Sequence, residues 1–329
     1  MFPRRNADDG DDKKTRRTSY TLTLTEEQAA KLKAWCDHRM WSFFKVDHAR
    51  FAFEGDGVNV VCYNSGKCVI AGKKTEDFVT YVIENEITKN PLLGYDEVHH
   101  PDWFEPHAGL DESGKGDLFG PLVSACVIAP NDEVVRMWME MGVKDSKAIT
   151  SDSVVLRLDK QIRATRGVAV RTVVPGMRKY NELYHKFGSN LNRLLAWYHA
   201  RALEAALTER PVAWGLLDQF TKQPLVQRSL RGVPKGFELR MRTKAESDPV
   251  VAAASIVARA EFVRQLHELS VQAGEELRRG ASNEVKTQAK RLVEKFGPDA
   301  LGDYAKLHFR TAFEALGLPV PEKKPWVKR

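Results

Sequence analysis

The segment HAGLDESGKGDLFGPLVSACVIA, residues 107–129, decides the fold of this chain. Two adjacent carboxylates, Asp111 and Glu112, precede a glycine-rich turn, and the apolar run over residues 122–129 predicts a buried strand. Acids at the end of a buried strand are unusual, because a buried carboxylate is costly unless it is paired or binds a metal ion. The segment therefore predicts a functional site. The simpler alternative is a solvated hairpin tip with two surface acids.

The composition is that of a globular protein, and the chain is too long for a single hydrophobic core of ordinary size. The chain has 329 residues, a formal net charge of +7 and 43% hydrophobic residues, which predicts a main domain and a smaller one. The modest positive charge permits an acidic partner such as nucleic acid. No run approaches the roughly twenty apolar residues of a membrane span, and the N-terminus lacks the apolar region of a secretory signal. We therefore expect a cytoplasmic protein without a membrane partner, whose four cysteines are reduced thiols.

The first part of the chain has the pattern of a small α+β domain. Residues 1–18 carry both charge signs and few apolar side chains, which predicts disorder. Thr25, followed by two acids, predicts a helix start. Three short strands and an amphipathic helix over residues 77–87 follow, which gives the order β-α-β-β-β-α within residues 19–90. Residues 91–106 contain three prolines and predict a linker.

From residue 107 to residue 318 strands and helices alternate, which predicts an α/β domain with a central sheet covered by helices on both faces. Residues 319–329 form a basic tail. The predicted strands, besides that over 122–129, cover residues 168–174, 212–217 and 237–242, and a further strand precedes the acidic turn. The predicted helices cover residues 150–163 and 190–207 and an alanine-rich stretch that begins near Glu246. Two more helical segments are predicted at the end of the domain.

Four acids lie at the ends of predicted elements, where an α/β sheet presents side chains to a crevice. They are Asp111, Glu112, Asp218 and Glu246. Converging carboxylates repel one another unless a cation is bound or their pKa values rise. Carboxylate oxygens suit Mg²⁺ or Mn²⁺ better than zinc, and two such ions can hold the attacking water and the leaving oxygen of a phosphodiester. Adjacent residues of an ideal strand point to opposite faces, so the first two share a site only if the backbone twists.

Two alternatives accompany these acids. Residues 109–116 read G-x-x-x-x-G-K-G, close to a phosphate-binding nucleotide loop, but the Ser or Thr that would hold Mg²⁺ is missing and two acids lie inside the loop. For Glu246 the alternative is a helix cap, since the helix dipole stabilises a carboxylate in the first turn.

Four motifs together resemble those of the type 2 ribonucleases H, and within them ribonuclease HIII. They are DESGKGDLFGPLVSACVIA, VKDSKAIT, LLDQF and KAESDPVVAAASIVARAEF, in the order of the family. The stretches NLNRLLAWYHARAL, GASNEV and AKLHF are also similar to ribonuclease HIII, and the resemblance covers residues 20–316. It implies a ribonuclease H-like mixed sheet flanked by helices. It also implies that the N-terminal domain resembles the TATA-binding protein and grips the substrate.

The resemblance further implies an endonuclease that cuts the RNA strand of RNA–DNA hybrids with Mg²⁺ or Mn²⁺ and leaves 3′-hydroxyl and 5′-phosphate ends. The four acids would bind metal and carry catalysis. Nothing in the chain demands more than a monomer. Gly114, Lys115 and Gly116 match the loop with which the family senses its substrate. The further candidates for substrate contact are Asp145, Ser146, Lys147, Asn190, Asn192, Ser255 and Arg259.

Several assignments have simpler alternatives. Lys115 stands where ribonuclease HII has arginine, which leaves open whether single embedded ribonucleotides are cut. Residues 145–147 also fit a plain turn, since Asp and Ser are common turn residues. Ser255 and Arg259 lie one helical turn apart and so can share a face, whereas His308 fits a structural histidine. A different class of function is a non-catalytic protein that binds hybrid or duplex nucleic acid.

Overall fold

The computed structural model of the protein describes residues 19–90 and 99–321. The chain divides into two compact units with the boundary after Asp102, inside the predicted linker. The predicted disordered segment 1–18, residues 91–98 of the linker and residues 322–329 of the basic tail lie outside the described residues. Within the described ranges, no helix is long and apolar enough to cross a membrane.

An antiparallel sheet and two helices form the first unit. The strands are β1 (Ser19–Thr23), β2 (Ser42–Phe43), β3 (Ala49–Gly55), β4 (Val58–Tyr63) and β5 (Lys67–Gly72), in the spatial order β1-β5-β4-β3-β2. Helix α1 (Glu26–His38) begins at the predicted cap, where Thr25 Oγ1 accepts from Gln28 N at 3.2 Å and the Gln28 side chain accepts from Thr25 N at 3.0 Å. Helix α2 (Thr75–Phe78) continues as a π-helix, Val79–Thr88.

The predicted order of the first unit lacks one strand. Strand β2 pairs with β3 through Phe43 and Phe53, and two residues are too short for an alternating pattern to indicate a strand. The helices cover one sheet face, and their Leu32 and Ile83 pack with inward side chains of β3, β4 and β5. The other face carries exposed or half-buried side chains, among them Thr21, Val61 and Val69.

A mixed sheet forms the centre of the second unit. Its strands are β6 (His107–Ser113), β7 (Val123–Ala129), β8 (Ala169–Val173), β9 (Trp214–Asp218) and β10 (Glu238–Arg242), in the order β10-β9-β6-β7-β8. Strands β6, β7 and β8 pair antiparallel, whereas β6, β9 and β10 run parallel. This arrangement confirms the predicted α/β class with a mixed sheet.

The helices of the second unit lie between and after these strands. They are α3 (Asp132–Glu140), α4 (Asp152–Ala164), α5 (Met177–Lys186), α6 (Leu191–Glu209), α7 (Leu225–Ser229), α8 (Pro249–Ala273), α9 (Asn283–Phe296) and α10 (Arg310–Ala315). Helices α3, α5 and α7 were not predicted. For α3 a signal exists in Asn131, which caps the helix by accepting from Val134 N at 3.1 Å.

Strand β6 lies between the two longest of these helices. On one face Gly109 lies against the backbone of α8: a Cβ added there would meet the carbonyl carbon of Val250 at 2.4 Å. On the other face Ala108 and Leu110 pack with Ala196 of α6. Alternate residues of β6 therefore face α8 and α6.

Replacing Gly109 by alanine should destabilise the second unit, because the added methyl group would force α8 away from β6. Overpacking of this kind costs about 1–3 kcal/mol, and we expect a fall of at least about 2 kcal/mol in the free energy of unfolding. Gly232→Ala is the control, since a Cβ there meets nothing within 4 Å. Equal denaturant midpoints for the two variants would contradict the close contact.

Candidate active site

Both adjacent acids lie inside strand β6 and not in the turn that follows it. Asp111 comes two residues after Gly109 and so faces α8, whereas Glu112 comes two residues after Leu110 and faces α6. The two carboxylates therefore lie on either side of the strand near its end, close enough for the charge of Glu112 to raise the pKa of Asp111. Asp111 Oδ1 also accepts from the Glu112 backbone N–H at 2.8 Å.

Asp218 ends the neighbouring parallel strand. Leu110 of β6 is in register with Leu217 of β9, so the next residues, Asp111 and Asp218, lie side by side at the ends of their strands. The Asp218 carboxylate accepts from Ala245 N at 3.3 Å. This bond ties the strand end to the turn that carries the fourth acid.

Glu246 lies in a single 3₁₀ turn, Ala245–Ser247, before helix α8. The predicted alternative, that Glu246 caps the helix, is wrong because Asp248 is the cap: its Oδ1 accepts from Val250 N at 2.8 Å and Val251 N at 3.1 Å. The buried His107 ring contacts the same oxygen at 3.1 Å. Glu246 is thus not needed as a cap.

The electrostatics link these acids to Lys147. Burial and then the neighbouring charge of Glu112 raise the pKa of Asp111 well above its usual value. Burial acts to lower the pKa of Lys147, but carboxylates near its ammonium group raise it overall. Those carboxylates are Asp111, Asp145, Glu246 and Glu112. In residues 19–90 and 99–321, no three His, Cys, Asp or Glu side chains are close enough to hold one metal ion together.

A buried hydrogen-bonded chain holds Glu112 on the α6 side. His199 Nε2 lies 3.2 Å from Glu112 Oε2, and His199 Nδ1 lies 2.8 Å from Ser124 Oγ. Lys115 Nζ approaches Glu112 Oε1 at 3.4 Å. Burial acts to raise the pKa of Glu112, but the hydrogen bond from His199 and the charges of His199 and Lys115 bring it below its usual value. Sequence reasoning missed His199, although it lies in the stretch NLNRLLAWYHARAL.

The glycine-rich turn after β6 has one constrained and one open glycine. Gly114 has φ +84°, and a Cβ there would meet Pro121 O at 2.3 Å, whereas nothing lies within 4 Å of a Cβ on Gly116. The chain continues through a loop into strand β7 and not into a helix. The nucleotide-loop alternative therefore lacks the helix N-terminus that would bind a phosphate.

The C-terminal part of the chain braces the loop of residues 117–120. Asp117 Oδ1 accepts from Gly280 N at 2.6 Å, and Leu118 N donates to Gly280 O at 2.9 Å. The buried Lys306 Nζ donates to Asp117 O at 2.9 Å and to Gly120 O. Burial lowers the pKa of Lys306 to about 7, against the opposing charge of Asp117. The stretches GASNEV and AKLHF thus hold the loop that follows the glycine turn.

Ser255 and Arg259 support the loop that holds residues 145–147. Ser255 Oγ accepts from Ser146 N at 2.9 Å, and Arg259 donates to Ser146 O and, at 2.7 Å, to Ile149 O. Asp145 caps the short turn by accepting from Lys147 N at 3.1 Å. These contacts give both side chains of α8 a structural role, and their contact with substrate stays a prediction.

The remaining predicted residues lie at the start of α6 and near the C-terminus. Asn190 is exposed and caps α6 by accepting from Arg193 N at 3.1 Å, and Asn192 is exposed two residues further along the chain. His308 Nε2 lies 2.8 Å from the Tyr180 hydroxyl, and its ring stacks on Tyr184 with centroids 4.2 Å apart. His308 therefore has the contacts of a structural histidine.

Comparisons with known proteins match most of the chain. The model of the Ribonuclease HII family matches residues 108–312. The chain is similar to ribonuclease HIII of Chlamydia abortus, 35% identical over 90% of this chain and 97% of that protein. It is 39% identical to ribonuclease HIII of Chlamydia muridarum over 80% of this chain and 87% of that protein.

Solved structures are similar as well. The crystal structure of Bst-RNase HIII in complex with Mn²⁺ has a TM-score of 0.62 at 28% identity, and covers 91% of this chain and 98% of that one. The ribonuclease H2 structure from Pyrococcus horikoshii OT3 shares the fold, with a TM-score of 0.55 at 21% identity over 64% of this chain and 97% of that one. The predicted ribonuclease H-like fold is confirmed.

The packing of His308 predicts a pH dependence of stability. Burial and the charge of Lys306 lower the pKa of His308 from 6.5 to about 4. Because the unfolded chain takes up the proton at higher pH than the folded chain, this group lowers stability as pH falls from about 6.5 to about 4. The wild type should lose more stability over this range than His308→Gln, measured by urea unfolding. Parallel losses would contradict a neutral, half-buried ring.

Proposed function

This chain belongs to the type 2 ribonuclease H family and cuts the RNA strand of RNA–DNA hybrids internally, and we propose that it does so by metal-assisted hydrolysis of the phosphodiester. The proposed ions are Mg²⁺ or Mn²⁺, and the proposed products carry 3′-hydroxyl and 5′-phosphate ends. The proposal includes a monomeric enzyme of the cytoplasm.

The carboxylate of Asp111 is the observation that carries the metal proposal. It is buried, beside a second acid in its own strand and a third at the end of β9. A buried carboxylate with a raised pKa gains most from a bound cation, which restores its charged form. Hard oxygen donors also fit Mg²⁺ and Mn²⁺. The side chains that would hold the ions are Asp111, Glu112, Asp218 and Glu246.

Bound ions would activate the attacking water and neutralise charge on the leaving oxygen. The chain's own residues would orient the substrate around them. Lys147 has its ammonium group near the acids and would neutralise a substrate phosphate. Nothing lies within 4 Å of a Cβ added to Gly116, so a ribose 2′-hydroxyl would have room to approach the backbone there. This hydroxyl is the group that distinguishes RNA from DNA.

The other proposed substrate contacts surround this centre. Gly114 and Lys115 belong to the same turn, and Lys115 Nζ also lies 5.8 Å from the ring centre of Phe220, two residues after Asp218. Asp145 and Ser146 would present their turn to the phosphate backbone. The remaining proposed contacts are Asn190, Asn192, Ser255 and Arg259.

We further propose that the first unit resembles the TATA-binding protein and binds the hybrid with the sheet face that its helices leave exposed. The candidates for phosphate contacts in this unit are the lysines Lys31, Lys33, Lys73 and Lys74. Lys31 and Lys33 lie on α1, where Lys31 Nζ donates to Glu86 O at 2.5 Å and Lys33 pairs with Asp37 at 2.7 Å. These two contacts and the position of α1 on the covered face disfavour a role in binding. Lys73 and Lys74 are exposed at the turn before α2.

Replacing Asp111 or Asp218 by asparagine should lower the cleavage rate by on the order of a thousandfold, because each change removes a charged ligand. Binding of the hybrid should persist, since its contacts lie mainly elsewhere. A labelled hybrid, incubated with and without Mg²⁺, reports cleavage, and a filter assay in EDTA reports binding.

Asp132→Asn, a half-exposed acid at the start of α3, is the matched control and should keep wild-type turnover. Full activity in both Asp111→Asn and Asp218→Asn would rule out the mechanism. A wild type that binds hybrid in Mg²⁺ without cutting it would favour the non-catalytic alternative.

Deleting residues 1–90 should weaken hybrid binding and reduce the slope of affinity against salt concentration, because contacts to phosphates are lost. The measurement is fluorescence anisotropy with labelled hybrid at several salt concentrations. Unchanged affinity and an unchanged salt slope would show that the first unit does not bind the substrate.

A further inference from the structure

A histidine, a serine and a glutamate form a buried chain beneath the active site. Glu112 and Ser124 are directly opposite each other on β6 and β7, so their side chains lie on the same sheet face. His199 of α6 lies under this pair and contacts Glu112 at 3.2 Å and Ser124 at 2.8 Å. Ser124 and His199 have no exposed surface.

The hydrogen bonds assign the protons of the ring. An ionised carboxylate only accepts, so His199 Nε2 carries the proton that it donates to Glu112. The Ser124 hydroxyl can donate to Nδ1 of a neutral ring or accept from a charged one, and in either state it fixes the ring plane. The side chain of Phe220 lies against the ring, with centroids 5.8 Å apart.

The hydrogen-bonded chain of Ser124, His199 and Glu112 is not a nucleophilic triad, although it has the residue types of one. A nucleophilic serine must reach the substrate, and Ser124 on β7 is fully buried. The ring nitrogens are also exchanged relative to a triad, since Ser124 contacts Nδ1 and Glu112 contacts Nε2. The group that reaches the active site is the carboxylate of Glu112 and not the serine.

We propose that His199 is a positioning residue, held by Ser124, that fixes the Glu112 carboxylate in the orientation in which it binds the metal ion. This inference rests on the proposed metal-binding role of Glu112. A glutamate side chain has several rotatable bonds. Binding a metal ion through a glutamate that no partner holds in place therefore costs conformational entropy. Partners that orient a metal ligand are typically worth 10–100-fold in metal affinity.

Two substitutions of His199 separate its two hydrogen bonds. The amide nitrogen of His199→Gln occupies nearly the place of Nε2 and can still donate to Glu112. The shorter His199→Asn places its amide near Nδ1, so it can reach Ser124 but not Glu112. Both variants are polar and smaller than histidine, and melting curves followed by circular dichroism verify that each is folded.

The measurement is Mn²⁺ affinity of the full chain without nucleic acid, by electron paramagnetic resonance of the free ion. We expect His199→Asn to weaken Mn²⁺ binding by about 10–100-fold and His199→Gln to remain much closer to wild type. Ser124→Ala should weaken binding several-fold, because the ring loses the partner that fixes it. Tyr198→Phe is the control: its buried hydroxyl makes no hydrogen bond in the described part of the chain, so affinity should not change.

Glu112→Gln distinguishes the two ways of failing. If Glu112→Gln weakens Mn²⁺ binding but His199→Asn and Ser124→Ala both bind as tightly as wild type, the positioning role is wrong and the metal ligand stands. If Glu112→Gln itself binds Mn²⁺ like wild type, the assignment of Glu112 as a ligand is wrong, and the role of His199 falls with it.

Discussion

The burial of the Asp111 carboxylate is the constraint on which the rest of the second unit depends. Strand β6 is paired on both edges and covered by α8 on one face and α6 on the other. An ionised group in such a place is costly unless a partner of opposite charge compensates it. Lys147 supplies part of the compensating positive charge, and the proposed metal ions would supply the remainder.

Most of the interactions around that carboxylate serve to hold backbone in place. Asp248 caps α8 and is fixed by His107, which sets the turn that carries Glu246. Gly280 and Lys306 hold the loop after the glycine turn, and Ser255 and Arg259 hold the loop of Lys147. Groups on rigid supports lose little freedom when substrate binds, which favours the transition state.

The sequence was sufficient to predict the α/β class and the strands beside Asp111, Glu112 and Asp218, because buried strands and Gly-rich turns have local patterns. The metal-binding role of these acids stays a prediction. It was not sufficient to predict that Asp248, and not Glu246, caps α8, since both acids precede the same helix. The two-residue strand β2 has no pattern to detect.

Partners that are distant in sequence were also missed. His199 contacts Glu112 from 87 positions away, and Lys306 contacts Asp117 from 189 positions away. Each reads locally as an ordinary polar residue, and only the folded chain identifies what it contacts. The family resemblance marked the stretches that contain them without assigning these contacts.

The central claim is that Asp111 and Asp218, from two parallel strands, bind divalent metal together. The direct measurement is anomalous diffraction at the manganese absorption edge from crystals of the full chain soaked in Mn²⁺. The account predicts an anomalous peak in contact with both carboxylates, which is lost in Asp111→Asn. A soaked crystal with no peak at Asp111, or with manganese bound only elsewhere, would contradict it.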